Sequence, residues 1–514
     1  MSLALLPGEC LSGTCLGGRA GASFTHPPHP DPIQLLCRFV AGGGGLVVGA
    51  QPWPWVEYRS GDANRVGTDF LANVLLAGTG IFVTVGRVFG YNSFAMAIGV
   101  APELNAQVAV EALRPGNGGM SPTAIVAAKA ALGAAIDFLP RAREPEFWRA
   151  LDALALQLSG SIIEGISATS RLDSGVLLNF LAAKLATYAA LRLPPRDVVL
   201  SPAAASFPGA VPAEAAAAGA VTVTVNTKSV GGLPYGSDLW VSTGVYARPG
   251  GLITVTVPAG ATTLGLKVSI GCHTDLLWEL PSWGRMPEVV RVVPLTSAMV
   301  EAASGFGGLV YIRVPGEGAG VAWDQDWTLT VGGATVRAPH YVAGETSLEA
   351  WRSAIRSYPA PWAELQSGAI TLTVPSSVVR SLEDPGLLLA WWGRVVAAED
   401  TLVAILTPRT WAERIAIDAD TVVGVCHNGY PIYCVTYFAA ELVDLATLQA
   451  KGSHVAFHEL GGCTRPRGRY SFGLGRIASP EAWACVAVCL MLPPRIVPRR
   501  SQPPTHGKCH SRCS

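Results

Sequence analysis

The run VTVTVNT, Val221–Thr227, sets valine against threonine or asparagine at alternate positions. Strand side chains point to opposite faces in turn, so this order builds one apolar and one polar face, the mark of a half-buried strand. Similar short runs recur downstream: LITVTVP (252–258), GLKVSIG (265–271), VVRVVPL (289–295), GLVYIRV (308–314) and WTLTVGG (327–333), each bordered by Gly or Pro turn signals. Strands this short and this closely spaced predict a β-sandwich over residues 221–341.

Upstream the grammar differs. SPAAASFPGAVPAEAAAAGA (201–220) is rich in Ala and Pro and reads as a linker. Before it, TAIVAAKAALGAAIDFL (123–139), EPEFWRALDALALQLSG (144–160) and SGVLLNFLAAKLATYAALRL (174–193) repeat their apolar residues at helical spacing, and Pro194-Pro195 closes the segment. Further back, IQLLCRFVAGGGGLVVGAQPWPW (33–55) predicts a helix over Ile33 to Ala41, a glycine turn and a buried strand over Gly45 to Gly49, with another strand at Gly80 to Val85. Residues 1–32, rich in Gly, Pro and Cys without periodicity, are expected to be a disordered leader.

Downstream of the sandwich, GETSLEAWRSAIRSYPAPWAEL (344–365) carries a capped helix and AITLTVP (369–375) a strand. Helices follow at DPGLLLAWWGRVVAAE (384–399) and AAELVDLATLQAKG (439–452), with a strand near TVVGVCHNGYPIYC (421–434), giving 342–462 an α+β character. Residues 463–514 show neither period and are expected to form no domain. The fold class is therefore multidomain: α/β with a helical segment, a β-sandwich and an α+β section.

Lys plus Arg and Asp plus Glu both number 37 in 514 residues, so no net field favours nucleic acid or an anionic membrane. The 11 cysteines are scattered and odd in number, and the N-terminus lacks a signal-peptide pattern; together these point to a reducing cytosolic setting. The most apolar stretches are GVLLNFLAAKLATYAALRL (175–193), which carries Asn179 and Lys184, and AWACVAVCLML (482–492), which is too short to span. Both read as buried helices.

Chemistry centres on AFHELGGCTR (456–465). In a gluzincin-type protease, two histidines at i and i+4 share a helix face toward Zn²⁺ and the Glu between them activates water. His458 and Glu459 fit the first half, but Gly462 occupies the second ligand position, and Gly461-Gly462 weakens the helix. His454 also lies four from His458, though the Glu then follows the pair and no third ligand is evident. FVAGGGGLVVGAQ (39–51) lacks the Gly-Lys-Ser/Thr and Gly-x-Gly-x-x-Gly orders of phosphate loops, and Cys37 and Gln51 do not make a glutaminase nucleophile turn. Cys272, His273 and Asp275 sit together after a strand and read as a hydrogen-bonded turn; Cys426, His427 and Cys434 read as structural packing. The terminal HGKCHSRC (506–513) offers only a loose metal-binding tail. No metal, cofactor or catalytic residue is expected, His458 and Glu459 being a degenerate remnant.

In order along the chain, STGVYARPGGLITVTVP, GLKVSIGCHTDLLW, GGLVYIRVP, APHYVAGETSLEAWRSAIRSYPAPWAELQSGAITLTVPSSVVRSLEDP, CHNGYPIYC and HVAFHELG resemble the TRP melastatin channel-associated factors, which carry an enhancin-like, mucin-metallopeptidase-like domain. The resemblance covers about residues 33–461 and is most specific from Ser242 to Gly461. It implies a partial amidotransferase-like α/β region over 33–200, then the sandwich, then a truncated enhancin-like peptidase domain over 342–462, the chain being expected to be cut short at both ends relative to the family. It also implies a non-catalytic regulator that binds the cold- and menthol-gated TRP melastatin cation channel and influences its trafficking and gating. Such a protein is cytoplasmic and peripheral at the plasma membrane through its channel partner. Two alternatives stay open: a zinc metallopeptidase acting on glycoproteins, with His458 as ligand and Glu459 as base, and a glycan-binding module in which Trp278 or Trp283 stacks on sugars.

Overall fold

The computed structural model describes residues 2–5, 46–49, 65–70, 73–74, 106–113, 120–142, 144–158, 162–227, 233, 237–316, 325–402, 409 and 411–463. Its contacts divide the chain into a unit of residues 1–203 with 278–287 and a second unit of residues 204–277 with 288–514. Helices and several sheets are mixed throughout.

In the first unit, β1 (Ser2–Leu5) pairs antiparallel with β2 (Leu46–Gly49), so the expected disordered leader contains one strand, and the strand expected at 45–49 is present. The helix expected at 33–41 and the strand expected at 80–85 lie outside the described residues. A short turn of helix, α1 (Val66–Asp69), is followed by α2 (Ala106–Ala112), α3 (Pro122–Phe138), α4 (Pro145–Leu158) and α5 (Leu177–Leu191). Ser121 starts α3 by accepting from the Ala124 amide, with Pro122 at the first helical position where its missing N–H costs nothing. Leu132, Ile136, Trp148, Leu151, Leu181 and Leu185 interlock as the core of this bundle. The apolar stretch over 175–193 is thus a buried helix, as its composition suggests, and its Lys184 is paired with Asp137 at 2.6 Å. Among the described residues no helix is long and apolar enough to cross a membrane. β3 (Leu172–Asp173) pairs with β8 (Ser282–Trp283), which belongs to the 278–287 excursion.

The second unit opens with β4 (Val221–Asn226), β5 (Leu239–Ala247), β6 (Leu252–Thr256), β7 (Lys267–Ile270), β9 (Arg291–Pro294), β10 (Met299–Ala303), β11 (Gly308–Val314), β12 (Asp326–Gly333) and β13 (Thr335–Arg337). They form a four-stranded sheet, β10-β6-β12-β4, and a five-stranded one, β13-β5-β11-β7-β9, whose pairings are antiparallel. The two share one core that includes Val221, Val223, Val225, Ile253, Val255, Val268, Ile270, Val310, Ile312, Leu329 and Val331. In β4 the valines are buried and Thr222, Thr224 and Asn226 exposed, the alternation that the opening run of sequence specifies.

A six-stranded sheet follows, in the order β14-β15-β16-β17-β19-β18. It comprises β14 (His340–Val342), β15 (Trp362–Gln366), β16 (Ile370–Pro375), β17 (Glu413–Asp418), β18 (Cys426–His427) and β19 (Ile432–Val435). α6 (Leu348–Ser353), capped by Ser347, joins β14 to β15. β16, β17 and β19 run parallel, and α7 (Pro385–Leu402) lies in the β16–β17 crossover, as a parallel connection requires. α8 (Ala439–Val443), α9 (Leu445–Lys451) and α10 (His454–Cys463) complete the unit, with Phe457 of α10 against Trp391 and Trp392 of α7 at 6.0 and 6.3 Å between ring centroids.

Two sequence expectations change. The stretch read as a linker is packed along part of its length: Phe207 is buried, Trp362 Nε1 donates to Pro208 O (2.7 Å) and Tyr246 Oη to Gly209 O (3.1 Å). Phe207 is a large aromatic inside an otherwise small-residue run, and burying it fixes the chain around it. Helix α10 runs on through Gly461 and Gly462. Tertiary packing overrides the low helix propensity there, and a Cβ at Gly461 would lie 3.3 Å from Glu399 Oε2, pressing on that carboxylate where α7 and α10 approach.

Candidate functional site

The two clusters that the sequence places 150 residues apart meet beside the parallel-strand ends of the six-stranded sheet. Cys272 is 1% exposed and burial pushes its thiol pKa up, so it is no thiolate nucleophile. Its neighbour His273 sends Nε2 to Ile417 O (3.0 Å) and packs its ring against Trp362 and Phe207 (centroids 4.5 and 4.6 Å). This part is the structural turn expected from sequence. Asp275 does something further: its Oδ2 accepts from His427 Nε2 at 2.8 Å and from the Val422 amide at 3.0 Å.

His427 sits on β18 with both ring nitrogens facing acceptors, Nε2 toward Asp275 and Nδ1 toward Asn428 O at 2.9 Å. Each contact requires an N–H, so the geometry selects the imidazolium. Burial opposes the charge, but the Asp275 carboxylate and the Asn428 carbonyl outweigh it and raise the His427 pKa. Cys426 and Cys434 are directly opposed in the β18–β19 register and joined in a disulfide. The pair read from sequence as structural packing is thus a covalent tie between the edge strand and its inner neighbour.

α10 supplies the third part. Glu459 is buried, accepts from the Asn428 amide, and is pushed up by burial against the pull of His458, His427 and that amide. His458 is half-buried, His454 is exposed, and their ring centroids are 6.4 Å apart. The zinc arrangement of a gluzincin does not fit these residues: Gly462, one turn beyond His458, has no donor atom, and among the described residues no three His, Cys, Asp or Glu side chains gather as ligands. The arrangement holds a histidinium between the Asp275 carboxylate and the Asn428 carbonyl, with Glu459 of α10 near enough to feel its charge.

One notable residue escaped the sequence reading. Glu399 on α7 is 1% exposed, and among the described residues neither carboxylate oxygen has a hydrogen-bond partner. Burial raises its pKa to about 7, with Arg409 pulling down and Asp400 pushing up. The available signal was its place on the apolar stripe of Leu388, Trp392 and Val395, where a carboxylate breaks the pattern.

The two tryptophans considered for sugar stacking differ: Trp283 is buried and cannot stack, whereas Trp278 is half-buried. Trp278 packs edge-on against Trp283 and Phe180 with the Lys184 ammonium 3.9 Å from its ring centroid. Both belong to the 278–287 excursion and pack within the first unit.

The His427 geometry sets a pH signature. Its folded pKa is raised, so its stabilising contribution is complete below the unfolded value near 6.5 and is lost as pH rises through the folded value. Replacing His427 by Ala is expected to cost about 2 kcal/mol at pH 6, and less at pH 8.5. Urea denaturation across that range checks it; equal costs at both ends would show that the imidazolium is not what holds the contact.

The family described as peptidase M60, enhancin and enhancin-like matches residues 334–472, and the N-terminal domain of M60-like peptidases matches residues 214–321. Human TRPM8 channel-associated factor 2 is 30% identical over 444 residues, 83% of this chain and 45% of that protein. The Xenopus laevis TRPM8 channel-associated factor homolog is 38% identical over 236 residues, 46% of this chain and 25% of that one. The chain thus spans less than half the length of these curated relatives. Among solved structures, the IMPa metallopeptidase of Pseudomonas aeruginosa aligns at 16% identity with a TM-score of 0.43, covering 66% of this chain and 40% of that one. The M60 catalytic domain of Clostridium perfringens ZmpC aligns at 14% identity with a TM-score of 0.40, covering 53% and 57%. With the ordered motifs from Ser242 to Gly461, the sequence matches to the curated relatives and to the two family models place the chain in the TRPM8 channel-associated factor family, with an M60-like domain at its C-terminal side.

Proposed function

We propose that this chain is a non-catalytic regulator that binds a cold- and menthol-gated TRP melastatin channel, acting at the cytoplasmic face of the plasma membrane through that partner. The observation that carries the reading is the state of the peptidase-like helix: His458 stands without its i+4 partner, and Glu459 is bonded to a backbone amide and shares its surroundings with a histidinium. A site so occupied is built to hold a surface in place. The names of the relatives supply the partner. Co-precipitation with the channel at native expression is the test; recovery no greater than with an unrelated membrane protein would overturn it.

The M60 match over 334–472 favours a second reading, a zinc metallopeptidase acting on glycoproteins. The two separate on metal content. Purified protein is expected to carry no stoichiometric zinc by mass spectrometry and to be indistinguishable from His458→Ala. One zinc per chain, lost in that variant, would establish the second reading.

A further inference from the structure

Residues 419–431 form a strap between β17 and β19 with little apolar anchoring at its outer turn: Val422, Val423 and Val425 are 41%, 62% and 44% exposed. Its strand β18 contributes two residues at the edge of the sheet, too few for ladder hydrogen bonds to hold it unaided. Tyr430 packs against Trp411 and Trp240 at the C-terminal end (centroids 5.9 and 6.3 Å), and the remaining ties are polar and covalent. Thr421 Oγ1 donates to Gly424 O at 2.9 Å within the turn, and the Val435 amide donates to Val425 O at 2.9 Å. The Val422 amide and His427 Nε2 converge on Asp275 Oδ2, and the Asn428 amide reaches Glu459. The Cys426–Cys434 bond joins the edge strand to its inner neighbour.

We propose that the Cys426–Cys434 disulfide is a thiol–disulfide exchange site for dithiol reductants, and that opening it frees the strap, parting His427 from Asp275 and Asn428 from Glu459. The strap is the natural moving part because the inner strand is buried on all sides while the outer one is not: Ile432, Tyr433 and Cys434 are 0%, 2% and 1% exposed, whereas Cys426 is 8% exposed beside the solvent-facing Val425. A reductant thiolate attacks the Cys426 sulfur, the S–S bond breaks, and Cys434 leaves as a thiolate that takes up a proton. The reductant's second thiolate then attacks the mixed disulfide, releasing Cys426 as a thiol and the reductant as its own disulfide. Two electrons pass from the dithiol to the cysteine pair. Two thiol sulfurs need more room than a bonded pair, and in this register the outer strand has solvent to move into.

The test uses the full chain trapped with N-ethylmaleimide at lysis, then purified chain with and without dithiothreitol. Cys426 and Cys434 are expected to escape the first alkylation and to be labelled after reduction. Reduction is expected to lower the thermal midpoint by about 5 °C and to speed hydrogen exchange in 419–431 by about tenfold, with exchange in β16 and β17 unchanged. The Cys426→Ser/Cys434→Ser variant should start at the lower midpoint and ignore dithiothreitol. Full alkylation of both cysteines in unreduced protein overturns the proposal, as does unchanged exchange in the strap after reduction; neither readout depends on the variant folding.

Discussion

Replacing Glu364 by alanine is expected to cost the second unit about 4 kcal/mol, enough to remove much of the stability of a typical domain. Glu364 is 2% exposed and accepts from Arg414 Nη1, from Tyr311 Oη at 3.1 Å and from Thr373 Oγ1 at 3.0 Å. Arg414, also 2% exposed, sends Nη2 to Ser242 Oγ at 3.0 Å, and its guanidinium lies 5.1 Å from the Tyr311 ring. Burial acts to raise the Glu364 pKa, yet Arg414 and the hydroxyl donors bring it below the ordinary carboxylate value. Without Glu364 the guanidinium stays buried with no countercharge, and that uncompensated charge is the main cost. Glu364→Leu combined with Arg414→Met is therefore expected to recover most of the loss, because removing both charges also removes both desolvation penalties. Urea denaturation of the two single variants and the pair, read as a double-mutant cycle, measures the coupling. A single-variant cost below about 1 kcal/mol, the range of a surface pair, would show that the pair is solvated.

The opposite sign is expected at Glu399. A folded pKa of about 7 lies above the unfolded carboxylate value, so the folded state holds its proton longer and stability falls as pH rises between roughly 4.5 and 7. Glu399→Met removes that penalty and keeps the volume. It is expected to stabilise the unit by about 2 kcal/mol at pH 8 and to change little at pH 4.5, and the pH dependence of the denaturation midpoint should flatten accordingly. A variant that is destabilised equally at both pH values would mean that the carboxylate has partners which offset its burial.

The sandwich was legible because its signal is local. Each of VTVTVNT, LITVTVP, GLKVSIG, GLVYIRV and WTLTVGG became a strand, and β4 carries the period of two on its surface. β5 and β10 went unread because LWVSTGVYA and MVEAA mix small and polar residues into the run, and their strand character comes from partners on either side. The same limit applies to the site. Cys272, His273, Asp275 and His427 were each picked out, but the pairing of Asp275 with His427 spans 152 residues and depends on the sandwich packing against the parallel strands. Nothing in either short motif encodes that distance. Near the boundary expected at about residue 341, β14 begins at His340 and pairs with β15 in the other sheet.

The contacts along that seam carry a mechanical consequence. Arg414 on β17 bonds to Ser242 on β5, His273 to Ile417, the Tyr433 hydroxyl to Cys272 O, and Trp362 to Pro208. Sandwich and sheet are thereby cross-braced through side chains that each keep buried on the other's behalf. A protease nick or an intron boundary placed between them at 341/342 separates two sequence modules but no two independently melting bodies. Heated or pulled, residues 204–277 and 288–463 should yield in one step.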